Sequence, residues 1–188
     1  MKRLIALAVL VATAAATPAL ADLAVGSKAP DFTAPAFLAG KPFTFDMAAA
    51  RKKGPVVMYF FPSAYTGGCN LEAHLFSEAA DDFKAQGATL IGVTAGKVER
   101  LAEFSADTKT CGGKFPVAAD PGAKIAKSYD SPMKMAGIKA PVDLSARTSY
   151  VIAPDGTVLL AYDNLKADDH VNQTLSALKA WKAKQKKK

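Results

Sequence analysis

The 188-residue chain is poor in the residues that disulfide frameworks and metal sites require, with only two cysteines and two histidines. Neither His74 nor His170 has Asp, Glu or Cys at ligand spacing, so the sequence indicates no metal site. There is no C-x-x-C motif, which disfavours a two-cysteine disulfide reductase. No basic face is interleaved with aromatic residues, so a nucleic-acid function is not indicated.

The amino-terminal segment has the pattern of a secretory signal. Lys2 and Arg3 are positive, residues 4–16 are almost all apolar or small, and residues 19–21 read A-L-A, an A-x-A cleavage pattern. We predict cleavage after Ala21 and a periplasmic or secreted protein. The signal is too short to span a membrane, and no later segment is long and apolar enough to do so.

The formal charge of +7 is concentrated at the two ends of the chain. Two positive charges belong to the predicted signal and five lysines belong to residues 182–188. Subtracting them leaves a body of about zero net charge. We therefore predict a signal at 1–21, one domain at 22–181, and a solvated basic tail at 182–188.

Apolar runs alternate with helical patterns along the predicted domain. This order favours an α/β fold with a mixed central sheet and helices on both faces. Residues 22–41 are expected to be extended or looped, and residues 131–145 to form a long loop. The strands are expected at 43–45, 56–61, 89–94, 115–118, 148–152 and 157–162. The helices are expected at 47–51, 69–86, 98–109 and 123–129, and from Asp168 onward.

One stretch places a cysteine where a strand connection enters a helix. The buried strand 56–61 stops at Pro62, which has no N–H for the ladder, and glycines at 67–68 allow a sharp turn before Cys69. The free N–H groups and positive dipole end of the following helix favour a thiolate. Cysteine count alone would instead favour a structural disulfide between Cys69 and Cys111. A structural disulfide gains nothing from this helix start, so we favour a nucleophilic Cys69.

Pro62, Thr66 and Cys69 form the pattern P-x-x-x-T-x-x-C, which resembles the active-site motif of the peroxiredoxins. Residues 26–32 and 147–156 resemble two further stretches of that family, in the same order. The resemblance covers about residues 25–180. Cys69-x-x-Glu72-Ala73 is similar to the bacterioferritin-comigratory branch.

The resemblance implies a thioredoxin-like fold and a thiol peroxidase that needs no metal or organic cofactor. Its substrate would be hydrogen peroxide or a small organic hydroperoxide. Cys69 would be the nucleophile, Thr66 would hydrogen-bond the thiolate and the substrate, Pro62 would shield the site, and Arg147 would favour the thiolate and orient the peroxide.

Each of these residues also has an ordinary interpretation. Thr66 could simply be an N-cap, Pro62 a strand terminator and Arg147 a solvated residue at a strand end. Glu72 could be an acid favoured by the helix dipole. We give Glu72 little weight in the predicted site.

The branch often has a second cysteine five residues after the first, but here that position is His74. Cys111 is therefore the only candidate resolving thiol, and we predict a redox-active Cys69–Cys111 disulfide. The implied partners are a thioredoxin-like or glutaredoxin-like reductant, with the protein a monomer or homodimer. Two alternatives are a thioredoxin-like thiol–disulfide oxidoreductase, disfavoured by the missing C-x-x-C, and a non-enzymatic redox sensor.

Overall fold

A seven-stranded mixed sheet forms the centre of the structure, a computed structural model that describes residues 23–133 and 143–186. The predicted signal and most of the predicted 131–145 loop lie outside these ranges. The strands are β1 (Thr33–Leu38), β2 (Lys41–Asp46), β3 (Val56–Phe60), β4 (Thr89–Thr94), β5 (Val117–Ala119), β6 (Thr148–Ile152) and β7 (Val158–Asp163). The helices are α1 (Met47–Lys53), α2 (Gly67–Glu78), α3 (Ala80–Ala85), α4 (Leu101–Ala106), α5 (Lys124–Ser128) and α6 (His170–Gln185).

The strand order is β2-β1-β5-β4-β3-β6-β7, with β3 and β5 parallel to β4 and the other pairs antiparallel. Side chains of β3 are all buried and alternate between two apolar clusters. Val56, Met58 and Phe60 pack on the face of α1 and α5. Val57 and Tyr59 pack on the face of α2, α3, α4 and α6. The prediction of a mixed sheet covered on both faces is confirmed.

Residues 22–41, expected to be extended or looped, contain a strand that was not predicted, β1. This strand lies between β2 and β5, and Pro35 had argued against a strand there. Pro35 is tolerated because the ladder shared with β5 involves only Ala36 and Phe37. The edge strand predicted at 43–45 is confirmed as part of β2.

The predicted helix 69–86 begins two residues earlier and is divided at Ala79 into α2 and α3. The apolar pattern conceals the division because Phe83 of α3 still packs against Phe76 of α2, with ring centroids 5.8 Å apart. Cys69 is therefore the third residue of its helix.

Two other helices are shorter than predicted. Within 98–109, a 3-10 turn at Val98–Arg100 precedes α4, and residues 107–113 form turns. The helix predicted at 123–129 is one residue shorter at each end, since α5 spans Lys124–Ser128. The Asp120 carboxylate accepts hydrogen bonds from the backbone N–H groups of Ile125 and Ala126, each at 2.9 Å. Asp120 thus provides hydrogen-bond acceptors for the first turn of α5, although it lies four residues before that helix begins.

The carboxyl-terminal helix passes the predicted end of the domain at residue 181. Helix α6 runs to Gln185, and Lys182 Nζ donates to the carbonyl oxygens of Gln86 (3.1 Å) and Ala85 (3.4 Å). The first part of the basic tail is therefore helical and anchored, not frayed. The helix continues because lysine and glutamine are good helix formers, and basic residues suit the negative end of the helix dipole.

The hydroxyl of Tyr59 is an unusual feature of the core. Tyr59 is fully buried and stacks on Phe76 at 4.4 Å, but its hydroxyl has no hydrogen-bond partner among the residues the structure describes. A Cβ at Gly92 would lie 2.9 Å from this hydroxyl, so the ring depends on the glycine beneath it.

Tyr59→Phe is expected to leave the free energy of unfolding unchanged or to raise it by up to about 1 kcal/mol, because a buried unpaired hydroxyl is unfavourable. Urea unfolding under reducing conditions measures this. Tyr150→Phe is the matched control: its buried hydroxyl donates to the Tyr129 carbonyl oxygen at 2.7 Å, so its loss should cost about 1–3 kcal/mol. An equal loss in both variants would contradict the prediction.

Candidate active site

The motif loop is held against the strand next to β3. The N–H of Phe61 donates to the Val93 carbonyl at 3.1 Å, and the ladder stops at Pro62. Beyond it, Ser63 forms an isolated bridge with Gly96. A Cβ at Gly96 would lie 2.4 Å from the Pro62 carbonyl oxygen, so this approach requires glycine. The half-buried Pro62 thus lies just after the carboxyl end of β3, before the loop that leads into α2.

Tyr65 adopts a left-handed backbone conformation with φ of 56°, which is uncommon for an aromatic residue. Three contacts hold it there. Its ring meets Phe104 edge-on at 5.3 Å, the guanidinium of Arg100 lies 3.8 Å from its centre, and its hydroxyl is 3.5 Å from Asp107 Oδ2. The loop before Cys69 is thereby attached to α4 and to the turn that follows α4.

Cys69 lies in the first turn of α2 and is only 1% exposed. Thr66 occupies the N-cap position with an extended backbone, but its side chain caps no backbone N–H. The Thr66 hydroxyl instead donates to the Ser63 carbonyl oxygen at 3.2 Å. Thr66 is therefore the N-cap residue by position, but its side chain does not cap the helix, and its exposed hydroxyl lies beside the first turn.

Arg147 is buried, not solvated, and its guanidinium reaches the cysteine. Nη2 lies 3.4 Å from Cys69 Sγ, Nε donates to the Leu165 carbonyl oxygen at 3.0 Å, and Nη1 donates to the Gly68 carbonyl oxygen at 3.4 Å. A Cβ at Gly68 would lie 3.0 Å from Nη2. Glycine at this position therefore gives the cation room to cross the helix start.

Glu72 is the residue whose importance the sequence concealed. It is fully buried one turn after Cys69, and its Oε2 forms an ion pair with Arg147 Nη1. Burial raises the pKa of Glu72 to about 8, although the Arg147 charge and hydrogen bond oppose the rise. The C-x-x-E pattern was the available signal, but a dipole-favoured surface acid explained it equally well.

His170 was not predicted to belong to the site. It is fully buried at the start of α6, with Nδ1 3.5 Å from Glu72 Oε1. Burial lowers the pKa of His170, and the Arg147 charge adds to this effect. No local spacing relates it to Glu72, which is 98 residues away in the sequence.

Cys111 lies in the turn after α4 and is fully buried. Both cysteines are free thiols and belong to the same apolar cluster. Burial raises the pKa of the Cys111 thiol far above its usual range, and Asp107 contributes further. Its carbonyl oxygen accepts a hydrogen bond from Ser77 Oγ at 3.0 Å, which ties the turn to α2.

Residues 25–161 match the model of the AhpC/TSA family. The chain belongs to this peroxiredoxin family. It is 31% identical over 132 residues to the chloroplastic peroxiredoxin Q of Sedum lineare, covering 70% of this chain and 67% of that protein. Such relatives support the bacterioferritin-comigratory branch, as the sequence predicted, and identify the protein as a thiol peroxidase.

Solved structures agree with the assignment. The fold is similar to that of peroxidoxin BcpB from Mycobacterium tuberculosis, with a TM-score of 0.71 and 25% identity over 83% of this chain and 96% of that one. Peroxiredoxin Q from Xanthomonas campestris gives a TM-score of 0.65 and 28% identity over 78% of this chain and 89% of that one. The predicted thioredoxin-like fold is confirmed.

Residues 23–133 and 143–186 contain no cluster of three His, Cys, Asp or Glu side chains that could hold a metal ion. In the same part of the chain, no helix has the length and apolar character needed to cross a bilayer.

Proposed function

We propose that Cys69 reduces hydrogen peroxide or a small organic hydroperoxide through a sulfenic acid. The observation that carries this is the 3.4 Å contact between Arg147 Nη2 and Cys69 Sγ, in the first turn of a helix. The thiolate attacks one peroxide oxygen and the O–O bond breaks. The other oxygen leaves with the electron pair and takes a proton, giving Cys69–SOH and water or an alcohol.

Arg147 has two tasks in this step. Its permanent charge favours the Cys69 thiolate over the thiol, and its N–H groups can donate to the negative charge that develops on the leaving oxygen. The hydrogen bonds to the Leu165 and Gly68 carbonyl oxygens fix the guanidinium beforehand. Thr66 presents an exposed hydroxyl at the N-cap position of α2, and the half-buried Pro62 lies four residues before it.

Cys111 is the proposed resolving thiol, and its burial defines what resolution requires. A thiol with so high a pKa is a poor nucleophile, so the turn at 107–113 must open before Cys111 attacks the sulfenic acid. Attack forms the Cys69–Cys111 disulfide and releases water. Gly112 and Gly113 have φ of 59° and 71°, so this turn is built from flexible residues. A thioredoxin-like or glutaredoxin-like dithiol would then reduce the disulfide.

The test of the function is peroxide consumption by the purified protein with dithiothreitol as reductant. We expect catalytic loss of hydrogen peroxide well above the rate of dithiothreitol alone. A rate no greater than that of free thiol would exclude peroxidase chemistry and favour a redox sensor or a disulfide reductase.

Cys111→Ser tests the resolving step by intact mass. With one equivalent of peroxide, the reduced wild-type protein should lose two hydrogens, because a disulfide forms. The variant should gain one oxygen and proceed to sulfinic acid with excess peroxide, because nothing caps Cys69–SOH. Normal turnover of Cys111→Ser with a thioredoxin-type reductant would show that Cys69 works alone.

Export to the periplasm is a further part of the proposal. The positive start, the apolar residues 4–16 and the A-x-A pattern ending at Ala21 support it. Intact mass of the protein recovered from a periplasmic fraction should correspond to a chain beginning at Asp22. Recovery of the uncleaved chain from the cytoplasm would contradict export.

A further inference from the structure

Behind the reactive cysteine lies a buried row of polar side chains that the reaction described above does not use. Arg147 contacts Cys69 on one side and Glu72 on the other, and Glu72 in turn faces His170. Ser149 Oγ lies 2.8 Å from His170 Nδ1. All of these side chains are buried, so their charge states are coupled through a region that water does not screen.

The hydrogen bonds of His170 determine where its protons are. Nε2 lies 2.9 Å from the carbonyl oxygen of Asn164, which can only accept, so Nε2 carries a proton. In the neutral ring Nδ1 is then an acceptor. That lone pair can accept from the Ser149 hydroxyl, whose Oγ lies 2.8 Å away. Glu72 Oε1 lies 3.5 Å from the same nitrogen and has no hydrogen-bond partner within the described part of the chain.

A buried carboxylate oxygen that has no donor and lies 3.5 Å from the acceptor nitrogen of a neutral imidazole is unfavourable, and one proton held by the pair relieves this. That proton can reside on Glu72 Oε1 or on His170 Nδ1, and in both cases the pair is neutral overall. The raised pKa of Glu72 and the lowered pKa of His170 favour the carboxyl oxygen.

We infer that Glu72 and His170 hold one shared proton, and that this proton leaves the charge of Arg147 free to stabilise the Cys69 thiolate. When the proton departs to solvent, Glu72 becomes an anion that competes with the thiolate for the same guanidinium. His170 is therefore a positioning residue that acts through Glu72, from which it is 98 residues away in the sequence. The inference rests on the proposed role of Cys69.

Other charged groups also act on the pair. The groups that act on it are Tyr59 on β3, Arg147 before β6, Asp163 at the end of β7 and Asp169 before α6, and Cys69 on α2 acts on the same guanidinium. The two aspartates oppose the lowering of the His170 pKa, whereas Arg147 supports it. Arg147 is the one cation in this set, so it is the group for which the Cys69 thiolate and the Glu72 carboxylate compete.

The thiolate can be measured without peroxide, by the rate of alkylation with iodoacetamide between pH 5.5 and 9 in a Cys111→Ser background. His170→Asn removes Nδ1 as a proton partner, so Glu72 ionises at lower pH. We expect the alkylation midpoint to rise by about one pH unit, or roughly tenfold slower alkylation on the acid side. His74→Asn is the matched control, since His74 is half exposed beside Glu78, and it should leave the curve unchanged.

Glu72→Gln separates this role from packing. Glutamine cannot ionise, so adding His170→Asn to Glu72→Gln should shift the midpoint no further. An equal shift in both backgrounds would overturn the inference. If His170→Asn does not fold, the NMR signals of the His170 ring can be followed against pH in the wild-type protein and in Glu72→Gln. The two titrations should differ, and identical titrations would overturn the inference. A protein that behaves as expected here but consumes no peroxide would refute only the proposed function.

Discussion

Replacing Cys69 with serine is expected to abolish peroxide reduction. A serine hydroxyl does not ionise near neutral pH, whereas the reaction requires an anionic nucleophile. The substitution is nearly isosteric at a site only 1% exposed, so the fold should persist. Peroxide consumption with dithiothreitol should fall to the background of free dithiothreitol.

Cys111→Ser provides the control for this loss, because it removes the other thiol from the same apolar cluster. It should still consume one equivalent of peroxide at the wild-type rate in a single turnover. Activity of Cys69→Ser above background, or a single-turnover defect in Cys111→Ser alone, would place the chemistry at Cys111.

Arg147→Met is expected to have the second largest effect. Loss of one donor to a developing oxyanion costs roughly 10²–10³ in rate in other enzymes. Arg147 supplies both such a donor and the charge that favours the thiolate, so we expect a fall of at least that size in the rate of Cys69 oxidation. A smaller fraction of Cys69 should also be thiolate at any given pH.

The matching control is Arg51→Met, which removes a guanidinium that binds Asp31 rather than Cys69. It should leave the oxidation rate unchanged. Because methionine also leaves the buried Glu72 without its cation, circular dichroism should confirm that Arg147→Met is folded. A folded Arg147→Met protein that reacts at the wild-type rate would remove the guanidinium from the mechanism.

The parts of the fold that local chemistry controls could be predicted from the sequence. The apolar run at 56–61, the helix that begins at residue 47 and the strand at 89–94 each carry their own signal, and all three are confirmed. Strand β1 was missed because Pro35 is acceptable only where the ladder with β5, a strand distant in sequence, leaves it unpaired. The division at Ala79 was hidden because both helix segments continue one apolar face.

The same distinction applies to the site. Pro62, Thr66 and Cys69 are close in sequence, so their spacing alone brought them together. Arg147 was predicted to belong to the site because its stretch resembles a family pattern. Its burial and its contact with Cys69 depend on how β6 packs beside β3. His170 could not be found, since its position opposite Glu72 results from the docking of α6 on α2.

The central claim is that the setting of Cys69 makes its thiolate far more reactive toward peroxide than an ordinary thiol. The most direct test is the second-order rate constant for oxidation of the reduced Cys111→Ser protein by hydrogen peroxide, followed by quenched-flow intact mass at neutral pH. We predict a constant at least about 10²–10³-fold above that of free cysteine, the contribution of one oriented donor. A constant equal to that of free cysteine would contradict the account.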